Sequence, residues 1–430
     1  MKTRHILLTL ALACGCGLTA TAQEDNILRL SLEEAQQYAV EHNYSMQNAA
    51  LDVQNAEASR WQTIASMLPQ ATASFDYTNM CGYEMNFSGI SIPMNPYGTF
   101  GITASIALTG AQIVGAVIND IAVDMADITK RQTEQTTRAN VRSIYSSILV
   151  MEETVGLLDS SLANMQRLYE TTQASVNAGA AEQVSADQLQ VQVATLRNSV
   201  SSTRLTLKAL YNSLILALGA DVNARIVLTT PVAQIIDIDR AAALTNTQFT
   251  IEDNYNYQLL QQNEKIAKDQ ITLAWMDCTP TISAYYQYNN KTYFGKSEGM
   301  NMTPPNMIGA SVSLPLVTIG SRAAKIKSAK ISYQETVNSK QQAEDALRVQ
   351  FNQLCYDLIT AVETYRIQRE NLDVTRRVFD NTAEKFKHGY ASNLEVTNAS
   401  TDIITAQSNY IQAVLSVVNA QVSLENLLGL

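Results

Sequence analysis

The most restrictive feature of this sequence is a stretch of 108 residues, Ser321 to Leu428, that contains no proline and a single glycine, Gly389. Glycine and proline are the strongest helix breakers, so the stretch predicts two long helices that meet at Gly389. Positive residues between positions 385 and 388 suit the last turn of the first helix. Ser392 and Glu395 form the pattern of a capping box that begins the second. The sequence therefore predicts a helical hairpin.

The second helix of this hairpin has apolar residues at alternating steps of three and four, the pattern of a coiled coil. Large residues alternate with alanine over most of the seam, which lets neighbouring helices approach closely. The first helix would be about 100 Å long at 1.5 Å per residue, more than an ordinary globular core requires. The seam consists of Val396, Ala399, Ile403, Ala406, Tyr410, Ala413, Val417, Ala420, Leu424 and Leu427.

The chain repeats this plan internally. Offsets of 211 and 210 residues align Asn43 with Asn254, Pro69 with Pro280, and Gly179 with Gly389. We predict a first repeat over residues 23–219, a linker or equatorial segment over 220–249 and a second repeat over 250–430. Each repeat consists of a helix, two strands and a helical hairpin, which turns at Gly179 or at Gly389. The opening helices are expected over 31–68, and from a cap at Thr250 to Pro280.

Between the helices of each repeat, apolar and polar residues alternate strictly, which predicts strands with one apolar and one polar face. The strands are expected at about 70–78, 100–109, 281–289 and 308–314, with a loop over 79–98. Their length and single apolar face match tilted membrane-crossing strands. Alternation alone does not distinguish these from a soluble four-stranded sheet. The apolar side would present Phe75, Tyr77, Phe100, Ile102, Tyr286, Tyr288, Val312 and Leu314.

The N-terminus predicts export from the cytoplasm. Residues 1–22 have a positively charged start, an apolar run and the small residues Ala20-Thr21-Ala22 before Gln23, which is typical of a signal peptide. The alternative is a lipidated N-terminus at Cys14 or Cys16. Two of the 30 Lys and Arg residues lie in this segment, so 28 remain against 40 Asp and Glu. This acidic balance argues against nucleic acid as a partner.

No residue pattern indicates catalysis or a bound cofactor. The three histidines, His5, His42 and His388, are far apart, and His388 is most simply a cation at the end of a helix. The cysteines that remain after signal cleavage have no regular spacing. We therefore expect neither an enzyme nor a cofactor or metal site.

Four strands are too few to form a closed membrane barrel. The smallest known membrane barrels have eight strands, and open strand edges do not occur in lipid. If these strands cross a membrane, several copies must pool them. Each copy would then contribute its long helices to a hollow bundle outside the membrane, and the assembly would form a tube.

Three motifs resemble the outer-membrane efflux protein family typified by TolC: Ser31-Leu32-Glu33-Glu34-Ala35, Met67-Leu68-Pro69-Gln70, and the turn from Gly389 to Val396. The order helix, strand, strand, hairpin, twice over, is also the family plan. The resemblance implies a mostly α-helical homotrimer, with a twelve-stranded β-barrel in the outer membrane and a long α-barrel in the periplasm.

The resemblance also implies partners. These are a periplasmic adaptor (membrane fusion) protein and an inner-membrane pump of the RND or ABC type, with export of drugs, other small molecules or proteins. Adaptor contacts are expected at the hairpin tips, at Gly179, Gly389, Ser392 and Glu395. The first tip departs from the second, because Gly179-Ala180-Ala181-Glu182 offers no Ser or Thr cap. The alternative function is a structural or adhesive coiled-coil assembly on the cell surface, without transport.

A candidate constriction lies just before the second turn. Asp373, Arg377, Asp380 and Glu384 follow each other at steps of four, three and four residues, on one face of the helix. Around a threefold axis they would form a charged ring that narrows the tube and sets its ion preference. The simpler interpretation, which we prefer, is a solvent-facing row of intrahelical ion pairs.

Overall fold

The computed structural model describes residues 27–429, except 88, 232–233, 235–237, 295–303 and 316–319. The predicted signal peptide, with Cys14 and Cys16, lies outside the described residues. Most of the described chain is helical, and in that part no helix has an apolar stretch long enough to cross a membrane. The helices are α1 (Leu32–His42), α2 (Tyr44–Ala65), α3 (Gly110–Asn177), α4 (Gln183–Leu218), α5 (Ile238–Leu244), α6 (Tyr255–Met276), α7 (Ser321–Lys387) and α8 (Asn393–Leu428).

The strands form three small sheets. The largest is antiparallel, with the order β2-β5-β7-β8, so β2 and β8 are its edges. β3 pairs with β4, and β1 pairs in parallel with β6. The strands are β1 (Ile27–Leu30), β2 (Gln70–Thr78), β3 (Glu84–Phe87), β4 (Ile90–Pro93), β5 (Tyr97–Leu108), β6 (Arg225–Leu228), β7 (Thr281–Tyr293) and β8 (Asn306–Ser313).

The two hairpins α3/α4 and α7/α8 dominate the molecule. α3 has 68 residues and α7 has 67, and both turn back into a helix of 36 residues. The coiled-coil seam predicted for α8 is confirmed, because all of its positions are buried or partly buried. At the tips the two hairpins share one core, in which Leu189 and Leu196 of α4 cluster with Val396 and Ile403 of α8.

Two predictions about local structure were wrong, the loop over 79–98 and the strand position of Leu314. The loop expected over 79–98 contains the β3–β4 hairpin, where Gly89 has a φ of +85° and Pro93 ends the strand, so these breakers bound a hairpin. The segment 220–249, for which no secondary structure was predicted, contains β6 and α5, and its role as a linker or equatorial segment stays a prediction. Leu314 lies just beyond β8, because Ser313 pairs with Thr281, the first residue of β7.

The opening helix of each repeat also differs from expectation, for one shared reason. Asn43 ends α1 and caps α2, since its Oδ1 accepts a hydrogen bond from the Ser45 backbone N–H at 2.7 Å. In the second repeat Asn254 caps α6 in the same way, and Thr250 provides no side-chain cap. Asparagine competes with helical hydrogen bonds and favours N-cap positions, so it divides a run that otherwise has helical composition.

The same two asparagines close each repeat on itself. Asn43 Nδ2 donates to the Ala217 carbonyl at 2.7 Å, and Asn254 Nδ2 donates to the Leu427 carbonyl at 3.1 Å. Each asparagine therefore caps the start of one helix and also satisfies a carbonyl at the end of the hairpin. Gly219 and Gly429 follow these hairpin ends with φ values of +69° and +77°.

We expect Gly219→Ala to destabilise the fold more than Gly429→Ala. A Cβ at position 219 would lie 2.4 Å from the His42 carbonyl oxygen, whereas one at 429 would lie 3.4 Å from that of Asp253. Left-handed backbone costs alanine about 1 kcal/mol at either site. The clash should increase the loss of unfolding free energy at position 219 to about 2 kcal/mol or more. Thermal unfolding followed by circular dichroism measures both variants, and equal losses would contradict this account of the junction.

Candidate functional site

The strand pairing places the predicted apolar residues, except Leu314, on one face of the four-stranded sheet. Directly paired residues point to the same side of a sheet. Phe75 and Ile308, near the two edges, are 70% and 83% exposed, so no described part of the chain covers this face. The pairs on this face include Phe75 with Phe100, Ala73 with Ile102, Ile102 with Tyr288, Tyr286 with Ile308, and Ile282 with Val312.

The opposite face of the sheet is polar. Thr103 pairs there with Thr72 on one side and with Gln287 on the other. The Ser283 and Ser311 hydroxyls lie 2.8 Å apart in a hydrogen bond between β7 and β8. A sheet with one exposed apolar face and one hydroxyl- and amide-rich face suits a wall between lipid and water.

The second hairpin tip is capped at both helix ends. Gly389 has a φ of +74°, and the Tyr390 N–H donates to the Lys385 carbonyl at 2.8 Å, which closes the end of α7. The predicted capping box is confirmed: the Glu395 N–H donates to Ser392 Oγ at 3.3 Å, and the Ser392 N–H donates to Glu395 Oε2 at 2.6 Å. The hydrogen bond from the Ser392 backbone lowers the pKa of the Glu395 carboxyl below its ordinary value.

The first tip has the same turn with a weaker start to its second helix. Gly179 has a φ of +74°, and the Ala180 N–H donates to the Ser175 carbonyl at 2.8 Å. Glu182 occupies the N-cap position and makes no side-chain cap, as the sequence predicted. The two tips therefore present the same backbone turn but different polar groups.

One contact between the tips was not predicted. Asn393 Nδ2, in the first turn of α8, donates to Gln188 Oε1 of α4 at 2.5 Å. Nothing in the sequence indicates that these two polar side chains, on separate helices, would meet. The contact joins the first turn of α8 to the second turn of α4, near the tips of the two hairpins.

All four candidate constriction residues, Asp373, Arg377, Asp380 and Glu384, are exposed on α7. In the described part of the chain no ion pair joins them, so the predicted row of intrahelical ion pairs does not form. Glu384 instead bonds Lys387 at 2.8 Å and lies 3.3 Å from His388, and the hydrogen bond from Lys387 lowers the pKa of its carboxyl. The ring around a threefold axis stays a prediction.

Asp380 and Glu384 line a groove between the two long helices. The groove has a volume of about 570 Å³, and α3 contributes Asn164, Arg167 and Thr171 to its wall. Asp380 and a cation of the other repeat, Arg167, therefore line the same groove. The sequence could not reveal this, because the spacing of residues on α7 does not report which face of α3 lies opposite.

A buried ion pair links the two repeats far from the tips. Arg142 of α3 bonds Glu425 of α8, and Arg240 lies 3.4 Å from the same carboxylate. Gln421 donates to Glu425 at 3.0 Å. Burial lowers the pKa of the Arg142 guanidinium, and the negative charge of Glu425 opposes this shift. The sequence carries one signal for this site, because Glu395, Asp402 and Glu425 are the only charged residues after Tyr390.

Comparison with known proteins agrees with this geometry. A family model described as "Outer membrane efflux protein" matches residues 35–220 and 251–430. Outer membrane efflux protein BepC of Brucella suis biovar 1 (strain 1330) is 21% identical over 438 residues, which cover 99% of this chain and 90% of that protein.

Two solved structures have the same fold. The CmeC outer membrane channel of Campylobacter jejuni has a TM-score of 0.76 at 14% identity, over 93% of this chain and 85% of that chain. A membrane protein from Pseudomonas aeruginosa has a TM-score of 0.77 at 15% identity, over 94% and 91% of the two chains.

Glu395→Gln should reveal a pH-dependent contribution of the second tip to stability. A carboxyl whose pKa is lower in the folded state than in the unfolded state increases the free energy of unfolding. The contribution is complete above the unfolded pKa, near the ordinary 4.5, and it is lost as the pH falls through the folded pKa. We expect wild type to have the higher thermal midpoint at neutral pH, and the difference to shrink below pH 4.5. Circular dichroism melts over that range measure it.

Glu182→Gln, at the tip without a side-chain cap, is the matched control for this experiment. It should change the midpoint little at either end of the pH range. A difference between wild type and Glu395→Gln that stays constant with pH, or grows on acidification, would contradict the role of the Glu395 carboxylate.

Proposed function

The chain belongs to the family of outer membrane efflux proteins and is an outer-membrane channel of an efflux system, and from this premise we propose how it assembles and what it connects. Three copies pool their four-stranded sheets into one twelve-stranded barrel. Their long hairpins form a tube that continues from the barrel into the periplasm. Cargo leaves through this shared passage.

The open edges of the four-stranded sheet carry this proposal. β2 and β8 each have a described neighbour on one side only, yet the sheet has an exposed apolar face. An unpaired backbone group in hydrocarbon costs several kcal/mol, so the edges need partners once the apolar face enters lipid. β2 of one copy and β8 of the next can supply these partners to each other.

The hairpins provide the reach that a periplasmic tube requires. α3 and α7 contain 68 and 67 residues and would each be about 100 Å long. Their tips lie at the ends remote from the sheet. We propose that a periplasmic adaptor docks at these tips, around Gly179, Gly389, Ser392 and Glu395. The adaptor would link the channel to an inner-membrane pump of the RND or ABC type.

The cargo class follows from this role. Drugs, other small molecules or proteins would be delivered by the pump and pass through the tube, which performs no catalysis of its own. Family membership supports this channel over a surface coiled-coil assembly without transport. The polar face of the sheet supports it as well, because a transport-free assembly has no need of a water-lined wall.

Conductance in planar bilayers tests the channel and the candidate constriction together. Wild-type protein should insert as discrete conducting units. Asp380→Ala with Glu384→Ala should raise the conductance and weaken the cation preference, because a carboxylate ring would attract cations and narrow the tube. Asp345→Ala with Asp357→Ala removes two exposed carboxylates of α7 farther from the turn, and it should change neither property.

The outcomes of this experiment separate the two ideas. Absence of conducting units from correctly assembled wild-type protein would contradict the channel. Normal units whose conductance and ion preference are unchanged in Asp380→Ala/Glu384→Ala would contradict the constriction alone.

Gly389→Val tests the second tip as the adaptor contact. Open space surrounds the glycine, so the cost should be backbone strain at a φ of +74°, on the order of 1 kcal/mol. We expect adaptor capture in a pull-down, and drug export by cells, to fall. Gly156→Ala, within α3 and without a positive φ, is the control and should leave both unchanged. Normal capture and export by Gly389→Val would contradict the contact.

A further inference from the structure

Two charged side chains occur in the four strands of the large sheet, Asp76 in β2 and Lys291 in β7. Asp76 pairs with Thr99 of β5, and Thr99 pairs on its other side with Lys291. The two charges therefore lie in one row across the sheet, on the same face. That face is the polar one, which also includes Thr103 and Gln287.

The row lies near the end of the sheet that is remote from the helices. Asp76 is two residues from Thr78, where β2 ends, and Lys291 is two residues from Tyr293, where β7 ends. The other ends of these strands adjoin α2 and α6 along the chain. With the helices in the periplasm, the row is close to the outer mouth.

Two tyrosine rings hold the Lys291 ammonium over the polar face. Its Nζ lies 3.6 Å from the ring centroid of Tyr97 and 4.9 Å from that of Tyr293. The rings themselves are 5.7 Å apart, and their residues are direct cross-strand partners. A cation over aromatic faces is attracted by the ring quadrupoles, so the lysine has a defined position and does not simply extend into water.

Asp76 and Lys291 are too far apart to neutralise each other in a contact. One strand separates them, and adjacent strands are about 4.8 Å apart, so their backbones are about 10 Å apart. In the part of the chain that the structure describes, neither residue lies within 4 Å of an oppositely charged group. Both charges therefore contribute to the electrostatic potential over the polar face of the sheet.

We propose that Asp76 and Lys291 determine the ion preference of the outer mouth of the channel. The proposal rests on the proposed trimeric barrel, in which the polar face lines the passage. Three carboxylates and three ammonium groups then alternate around one level of the barrel. The ring is balanced in charge, so the exit admits cationic and anionic solutes alike, and removal of either group makes it selective.

Reversal potentials across a planar bilayer with a KCl gradient test the ring. Lys291→Gln leaves three carboxylates and should raise the cation-to-anion permeability ratio, whereas Asp76→Asn should lower it. Each change should be about fourfold, because three unit charges about 10 Å from the axis, screened over one Debye length in water, change the permeability of the cation and of the anion about twofold in opposite directions. The double variant Asp76→Asn/Lys291→Gln should return to the wild-type ratio.

Lys291→Arg is the matched control, because arginine keeps the charge and binds aromatic faces, so its ratio should equal that of wild type. If Lys291→Gln does not assemble, the exposed Asp76→Asn tests the same ring with the opposite sign. Wild-type protein without conductance would overturn the barrel and the ring with it. Conducting Lys291→Gln and Asp76→Asn channels with the wild-type ratio, or with shifts of the same sign, would overturn the ring alone.

Discussion

The proposed assembly depends on one constraint, the backbone hydrogen bonds at the edges of a sheet whose apolar face is uncovered. β2 and β8 have no described neighbour on their outer sides, and the apolar face between them is uncovered. Water satisfies such edges, but hydrocarbon does not. A single copy therefore has no stable place in a membrane, and closure by further copies follows from the strand count. In the proposed trimer, the passage is a consequence of that closure.

The helices show two kinds of interface with different roles. Within each hairpin the seam is mostly apolar, and in α8 large residues alternate with small ones. Between the repeats, α3 and α8 share apolar contacts and add polar ones, including the Arg142–Glu425 ion pair and a 2.9 Å hydrogen bond from Ser143 to Asn419. Apolar seams are non-directional, whereas hydrogen bonds have a required geometry. Apolar contacts thus hold the helices together within and between the repeats, and the polar contacts between the repeats add a required geometry.

Features that depend on interactions between neighbouring residues could be predicted from the sequence, whereas contacts between distant segments could not. The turns at Gly179 and Gly389 and the capping box at Ser392 are local, and the sequence was sufficient to predict them. The apolar face of the sheet followed from its alternation of residues. The β1–β6 pairing, the contact of Asn393 with Gln188 and the Arg142–Glu425 pair join distant segments, and periodicity does not report which segments meet. Asn43 was misread because its amide caps a helix inside a stretch of helical composition.

Native mass spectrometry of the particle, extracted from the outer membrane in mild detergent, tests the closure of the sheet most directly. The account predicts a single assembly of three copies that separates into monomers only when the detergent-bound fold is denatured. A stable monomer that remains in aqueous solution without detergent would contradict it, because such a protein would have no need to pair β2 with β8 of another copy.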